Sequence, residues 1–294
     1  MIPVVFVADD NYAPYLGVAI SSFVSNASVQ NTYNIYIVHD GISDGNRELL
    51  ETLSDYNVQI DFIDARPFVA SYGLDQLNIT CYPLAIYYRF FLPQILPELD
   101  KVLYLDTDVL ILDDVVELYN IDIGNNYIGV VLDALSRRPA SSSFAKYCRK
   151  ILNIASHKTY FNSGVLLMNL AKMRTDDMTT KLVATQKKMR NARFPDQDTL
   201  NIVFEGKTSF LPDGWNVQAK EFYPASLQIP SIVHYATNNK PWAIKNPRDN
   251  LLLWWQQAEK TPFYEILQHI KPDTTTLSWR WALLRDKLKG SICK

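Results

Sequence analysis

The sequence predicts an α/β fold built on a mostly parallel sheet flanked by helices. Three observations carry that expectation. Short apolar runs alternate with stretches whose apolar residues recur at helical spacing, the pattern of strand–helix–strand units. Apolar residues make up 48% of the 294 residues and charged residues 20%, a composition that supplies a large buried core. One apolar run, residues 102–105, stops at Asp106-Thr107-Asp108, as expected of a strand that delivers ligand-binding groups at its carboxyl end.

The elements follow in order. Residues 4–7 (Val-Val-Phe-Val) read as the first strand, and residues 12–24 carry small and apolar side chains at helical spacing. A second strand is expected over 33–38, a helix over 46–53 and a third strand over 58–63. Residues 83–92 look helical and aromatic-rich and lead into the strand that ends at Asp106. A strand over 127–132, a helix over 141–152, a short apolar strand over 165–168 and a long polar-faced helix over 171–189 come next. Asp196 and Asp198 open a helix over 196–204, where carboxylates meet unpaired backbone N–H groups and the positive end of the dipole. Residues 232–234 form the last clear strand.

The end of the chain has a different composition. Between Trp279 and Lys294 lie five Lys or Arg and one Asp, and Trp279, Leu283 and Leu284 can share one helix face. That composition suits an interfacial amphipathic helix, and equally a docked helix with a solvated basic face. The change in composition divides the chain into residues 1–245 and 246–294, a C-terminal helical region whose basic, aromatic tail suits association with a membrane or a partner.

Composition also excludes some classes. A net charge of −2 argues against a general nucleic-acid binder. Cys81, Cys148 and Cys293 are far apart and form neither a Cys-x-x-Cys pair nor a zinc spacing, which favours a reducing compartment. No secretory signal precedes the first strand and no apolar run is long enough to span a bilayer, so a cytoplasmic location is expected.

Asp106 and Asp108 are spaced i, i+2, so on extended backbone both carboxylates point the same way and can grip one divalent cation. The pattern alone is weak, since Asp196-Gln197-Asp198 repeats it. Its companions add specificity. They are Phe6-Val-Ala-Asp9-Asp10-Asn11-Tyr12, Tyr160-Phe-Asn162-Ser163-Gly164, Phe194-Pro-Asp196-Gln197-Asp198, and Val233-His234-Tyr-Ala-Thr237-Asn-Asn-Lys240-Pro-Trp242. In this order the segments, over residues 2 to about 245, closely resemble glycosyltransferase family 8, which includes bacterial lipopolysaccharide galactosyl- and glucosyltransferases and glycogenin. The resemblance implies a GT-A fold, a Rossmann-like nucleotide-sugar-binding sheet. It also implies a retaining transferase that moves galactose or glucose from a UDP-hexose to a glycan, glycolipid or glycoprotein.

The resemblance also assigns roles. Asp9 and Asn11 match positions that bind uracil and ribose, with Val7, Ala8 and Thr107 beside them and Tyr12 stacking on the base; helix capping is the alternative for Asp9 to Asn11. Asp106, Asp108 and His234 would hold Mn²⁺, with Mg²⁺ as second choice; a hydrogen-bonded core histidine is the alternative for His234. Lys240 would pair with a diphosphate oxygen. Thr237 stands where the family usually has Gly, which puts the geometry of that loop in question. Arg89, Asp106, Asn162, Ser163, Asp196 and Gln197 would hold the donor hexose. The alternatives are a guanidinium stacked on tyrosines for Arg89, a turn for Asn162 and an N-cap for Asp196. Catalysis would rest on Arg89, Asp196 and Gln197. An amide is a poor nucleophile, so Gln197 implies same-face attack by the acceptor rather than a covalent intermediate. On a helix, Asp198 would point elsewhere.

Two rival readings remain. A nucleotidyltransferase would need a Gly-rich loop after the first strand, and none occurs before Gly17. A non-catalytic sugar-binding module has only Thr237 in its favour. A self-glucosylating tyrosine cannot be picked from the 17 tyrosines. The basic tail favours an acceptor at the inner membrane face. The loops 133–143 and 213–230 are expected on the acceptor side.

Overall fold

The computed structural model describes residues 1–73, 83–189, 192–218, 230–236, 240–243 and 250–271. The strands are β1 (Ile2–Ala8), β2 (Tyr33–His39), β3 (Val58–Asp64), β4 (Lys101–Leu105), β5 (Val109–Ile111), β6 (Ile128–Leu132), β7 (Phe161–Asn169), β8 (Thr208–Phe210), β9 (Val217–Gln218) and β10 (Ile232–His234). The helices are α1 (Ala13–Asn26), α2 (Asp44–Glu51), α3 (Arg66–Ala70), α4 (Leu92–Ile95), α5 (Val116–Asn120), α6 (Ser143–Tyr147), α7 (Leu170–Thr175), α8 (Met178–Lys188), α9 (Pro195–Val203), α10 (Asn250–Ala258) and α11 (Tyr264–Leu267). None is long and apolar enough to cross a membrane.

Seven strands form the main sheet in the order β3-β2-β1-β4-β7-β6-β8. The pairings β1–β2, β2–β3, β1–β4 and β6–β8 are parallel, while β7 runs antiparallel to both β4 and β6. Both faces are buried, so the central strands read as continuous apolar runs. Alternate side chains enter opposite layers: Val4, Phe6, Leu103 and Leu105 join the layer that holds α1, whereas Val5, Val7, Val102 and Tyr104 join the layer beneath α8 and α9.

A second sheet, β5-β10-β9, decides the position of the site. Its pairing sets His234 opposite Val109, and the Tyr235 N–H donates to the Asp108 carbonyl at 2.9 Å. Two residues remote in sequence are thereby held together by backbone.

Some elements differ from expectation. Residues 84–91 wind as a 3-10 helix before α4, and Pro93, near the start of α4, has no N–H to bond back to the Arg89 carbonyl. The stretch 171–189 breaks into α7 and α8 at Asp177, whose φ of 47° is left-handed. The break lets Met173 and Met178 both enter the core. The expected helix over 141–152 is α6 followed by one π-turn, Cys148–Leu152, closed by left-handed Asn153. Asn162-Ser163-Gly164, which reads as a turn, lies inside β7 as a bulge: Val130 pairs with Leu166 but Val131 with Asn162. Strands β5, β8 and β9 span two or three residues each, too few to show a period.

Residues 250–271 dock on the core. Trp254, Trp255, Phe263 and Leu267 join the layer around α1, and Gln257 Nε2 donates to Ser21 Oγ at 2.9 Å. The tail over 277–294 lies outside the described residues.

Candidate active site

The carboxyl ends of β1 and β4 open onto one cleft of about 680 Å³. It is lined by Val7, Ala8, Asp9 and Tyr12, by Asp106, Thr107, Asp108, His234 and Lys240, and by Arg89, Asn162, Ser163, Asp196 and Gln197. Of the residues predicted for the site, Asn11 is exposed and is not among those lining the cleft. Thr237 lies outside the described residues.

Asp9 serves partly as the capping alternative: it ends β1 and accepts the Tyr12 N–H at 2.9 Å, closing a 3-10 turn. The Tyr12 ring meets Tyr15 and Trp242 edge-on, and Tyr15 stacks on Trp242 with centroids 3.9 Å apart. This aromatic group anchors the chain just after Lys240.

One oxygen each of Asp106 and Asp108 and a ring nitrogen of His234 lie within 4.8 Å of one another. His234 Nε2 is 3.1 Å from Asp108 Oδ1 and 3.6 Å from Asp106 Oδ2. The imidazole is buried and packs on Gly164, where an added Cβ would fall 2.1 Å from His234 Cε1 and 2.8 Å from Asp106 Oδ2. Gly164 is therefore required by the close approach of the ring. Two hard carboxylate oxygens and one imidazole suit a divalent ion, so the residues fit the expected metal. Burial pushes the Asp108 carboxyl up, but the charges of His234 and Lys240 outweigh it and hold the group well below the usual range. Lys240 Nζ contacts Asp108 Oδ2 and donates to the Tyr235 carbonyl at 2.7 Å.

Arg89 is buried between two carboxylates, 2.9 Å from Asp106 Oδ1 and 3.2 Å from Asp196 Oδ2, and donates to the Ser163 carbonyl at 2.8 Å. Its guanidinium also lies 4.5 Å over the Tyr104 ring, so tyrosine stacking and carboxylate pairing coexist. Burial acts to lower the Arg89 pKa, but Asp106 and its neighbours outweigh that and keep it charged. Burial raises the Asp196 carboxyl despite Arg89. Asp196 is not a cap, since Phe194 holds that position in α9.

Gln197 sits in a web of amides. Its Oε1 accepts from Asn162 Nδ2 at 3.0 Å and from the Ser163 N–H at 3.1 Å, while its Nε2 donates to Asp133 Oδ2 at 3.2 Å. Asp198 points away, as expected. It accepts from the hydroxyls of Tyr147 and Tyr160 and from the N–H groups of Arg193 and Phe194, fastening the start of α9.

Asp133, Asn216 and Gln218 escaped the sequence reading. Asp133 Oδ2 also accepts from Gln218 Nε2 at 3.1 Å, and Asn216 Oδ1 lies 2.9 Å from His234 Nδ1. Asp133 comes from a loop, Asn216 from a single 3-10 turn and Gln218 from a two-residue strand, all too short to show a period. The only local signal was polar residues interrupting Trp215-Asn216-Val217-Gln218.

Residues 3–245 match the model of the family described as glycosyl transferase family 8. General stress protein A of Bacillus subtilis is 26% identical over 81% of this chain and 86% of that protein. A lipopolysaccharide 1,2-glucosyltransferase of Escherichia coli is 29% identical over 80% of this chain and 71% of its own length. Among solved structures, the galactosyltransferase LgtC in complex with donor and acceptor sugar analogues aligns with a TM-score of 0.72 at 26% identity. That alignment covers 96% of this chain and 100% of that one. The fold is of the GT-A type that these transferases share.

Proposed function

This chain belongs to glycosyltransferase family 8, and from that membership we propose that it moves galactose or glucose from a UDP-sugar to a glycan, glycolipid or glycoprotein acceptor, with retention of configuration. The observation that carries the reading is the gathering of three kinds of group in one cleft. The Tyr12 ring, the Asp106–Asp108–His234 cluster with Lys240, and the polar side chains around Gln197 all line it, and a base, a diphosphate and a hexose would need such partners.

Asp9 and Tyr12, flanked by Val7, Ala8 and Thr107, would hold the nucleoside; Asn11 would reach the ribose from the rim. Asp106, Asp108 and His234 would hold Mn²⁺, with Mg²⁺ as second choice. Such an ion supplies Lewis-acid neutralisation of charge developing on the departing diphosphate. Lys240 would exchange its contact with Asp108 for a diphosphate oxygen, and the Thr237 hydroxyl would donate to phosphate. Arg89 holds Asp196 and Asp106 in fixed positions, and Asp196 with Asn162 and Ser163 would accept or donate to sugar hydroxyls.

Same-face attack is supported by the state of the nearby carboxylates. Asp133 Oδ2 already accepts from Asn162, Gln197 and Gln218, and its Oδ1 from the Leu135 N–H. Asp196 is paired with Arg89 and accepts from Ser163 Oγ. Lone pairs engaged in this way are weak nucleophiles. The acceptor hydroxyl would attack on the face that UDP leaves, and a phosphate oxygen of UDP would take its proton. Gln197 would orient the donor and steady positive charge at the anomeric carbon.

Residues 1–245 would form the catalytic unit and residues 246–294 the attachment region. The basic, aromatic composition of 277–294 supports peripheral contact with the inner face of the plasma membrane and an acceptor displayed there. The test is UDP release from a panel of UDP-sugars, with and without Mn²⁺. Mn²⁺-dependent turnover of one UDP-hexose is expected. Binding of UDP and Mn²⁺ without turnover, with or without added acceptor, would instead favour a binding module.

A further inference from the structure

We infer that Asn216 is a positioning residue that couples the metal ligands of the cleft to its donor-sugar residues: one amide sets the tautomer of His234 with its oxygen and braces Asn162 with its nitrogen. The inference rests on the proposed metal-dependent reading of the site. It concerns a side chain that touches none of the reacting atoms.

The argument is one of hydrogen-bond polarity. The ends of an amide side chain can be told apart only by their partners. Here two backbone N–H groups, which can only donate, label the chain of amides. The Gly164 N–H donates to Asn162 Oδ1 at 2.9 Å, so that atom is the oxygen. The group that meets the same oxygen at 2.8 Å must then be Asn216 Nδ2. Asn216 therefore presents Oδ1 to His234 Nδ1 at 2.9 Å, and Nδ1 must carry the proton. That leaves Nε2, the nitrogen facing Asp106 and Asp108, as the one that would give its lone pair to a bound ion, as a neutral imidazole ligand requires. The second label is the Ser163 N–H, which donates to Gln197 Oε1 at 3.1 Å. Asn162 Nδ2 meets that oxygen at 3.0 Å, and Gln197 Nε2 is turned to Asp133. Each bond in the series fixes the sense of the next. Asn216, Asn162, His234 and Gln197 are all buried, so water does not readily replace a lost partner. The ring also lies against backbone, in the space that a Cβ at Gly164 would need.

The two functions of Asn216 are separable by substitution. Asn216→Ala removes both bonds. Asn216→Asp keeps an acceptor for Nδ1–H but turns a carboxylate oxygen toward Asn162 Oδ1, whose orientation the Gly164 N–H holds. The measurement is Mn²⁺ affinity in the presence of UDP by electron paramagnetic resonance, together with nitrogen NMR of the His234 tautomer and KM for the UDP-hexose. Melting curves check folding. Asn216→Ala is expected to weaken Mn²⁺ roughly ten- to hundredfold, the range for loss of a partner that orients a ligand, and to mix the His234 tautomers. Asn216→Asp is expected to keep Mn²⁺ affinity within about threefold while raising KM several-fold, and it decides the question if the alanine variant does not fold. Folded variants with unchanged Mn²⁺ affinity, tautomer and KM would overturn the inference. Wild-type protein that binds no Mn²⁺, or binding that survives His234→Ala, would instead overturn the metal reading, and the role of Asn216 with it.

Discussion

Gln197 shows how much a single amide can report. Gln197→Glu would replace the N–H that donates to Asp133 Oδ2 with a second carboxylate oxygen at about the same place. Two carboxylates so close repel while both are ionised, and the repulsion eases when falling pH puts one proton on the pair. We expect kcat to fall far more than tenfold near neutral pH, with the deficit narrowing as pH falls and the shared proton returns. A fall of only about tenfold, ~1.4 kcal/mol, with a trapped sugar adduct would instead establish a double displacement. Asp196 adds a pH signature. Its carboxyl is raised by burial, so it gains a proton at higher pH than an ordinary aspartate. The acid limb of kcat/KM should therefore lie above the usual aspartate range, and Asp196→Asn should remove that limb along with most activity. Outside the cleft, burial pushes the Cys148 thiol up to about 12. Iodoacetamide at pH 8 should leave Cys148 unlabelled in the native protein and label it after unfolding, which mass mapping of that peptide would show.

The strand bulge and the short strands matter more than the long helices. The β7 bulge turns Asn162 and Ser163 into the cleft and opens the space at Gly164 that His234 fills. Gly164→Ala should cost about 1–3 kcal/mol in chemical denaturation and weaken Mn²⁺ binding, because neither the ring nor Asp106 can retreat. The turn after β1 is tied to α2 through Asp10. Its carboxylate accepts from the Ser43 N–H and the Asn46 amide, which hold its pKa below the usual value. A carboxylate depressed on folding stabilises the protein above its unfolded value and stops doing so as pH falls through its folded value. Asp10→Asn should therefore flatten the acid side of the Tm–pH curve slightly, the group being mostly exposed.

At the scale of the molecule, the β1–β4 half of the main sheet and the small second sheet carry different parts of the site, and the C-terminal helices brace the first half. Phe263 lies against Gly17 of α1, where an added Cβ would fall 2.3 Å from the ring. Gly17→Ala should destabilise the whole protein by about 1–3 kcal/mol, seen as a lowered denaturation midpoint. Truncation tests the attachment region. Removing 277–294 should abolish sedimentation with anionic vesicles, with a melting curve to check that the shortened chain still folds. Unchanged vesicle binding would refute the tail's role.

The α/β class, the central strands and the Asp106–Asp108 pair are legible in the chain, because buried strands and strand-end carboxylates leave local signals in periodicity and spacing. The order of its segments pointed further, to the family and to Arg89, Asn162, Asp196, Gln197 and His234. Only the tertiary structure decided how these groups are held. The break at Asp177, the bulge at Asn162 and the strand that brings His234 to Asp108 satisfy burial and hydrogen bonding between distant segments. Asp133 and Asn216 acquire their importance the same way, since a buried amide or carboxylate is defined by its partners, 18 residues away for Asn216 and His234 and 64 for Asp133 and Gln197. No local pattern encodes such a partner, because the chain must close on itself before the two meet.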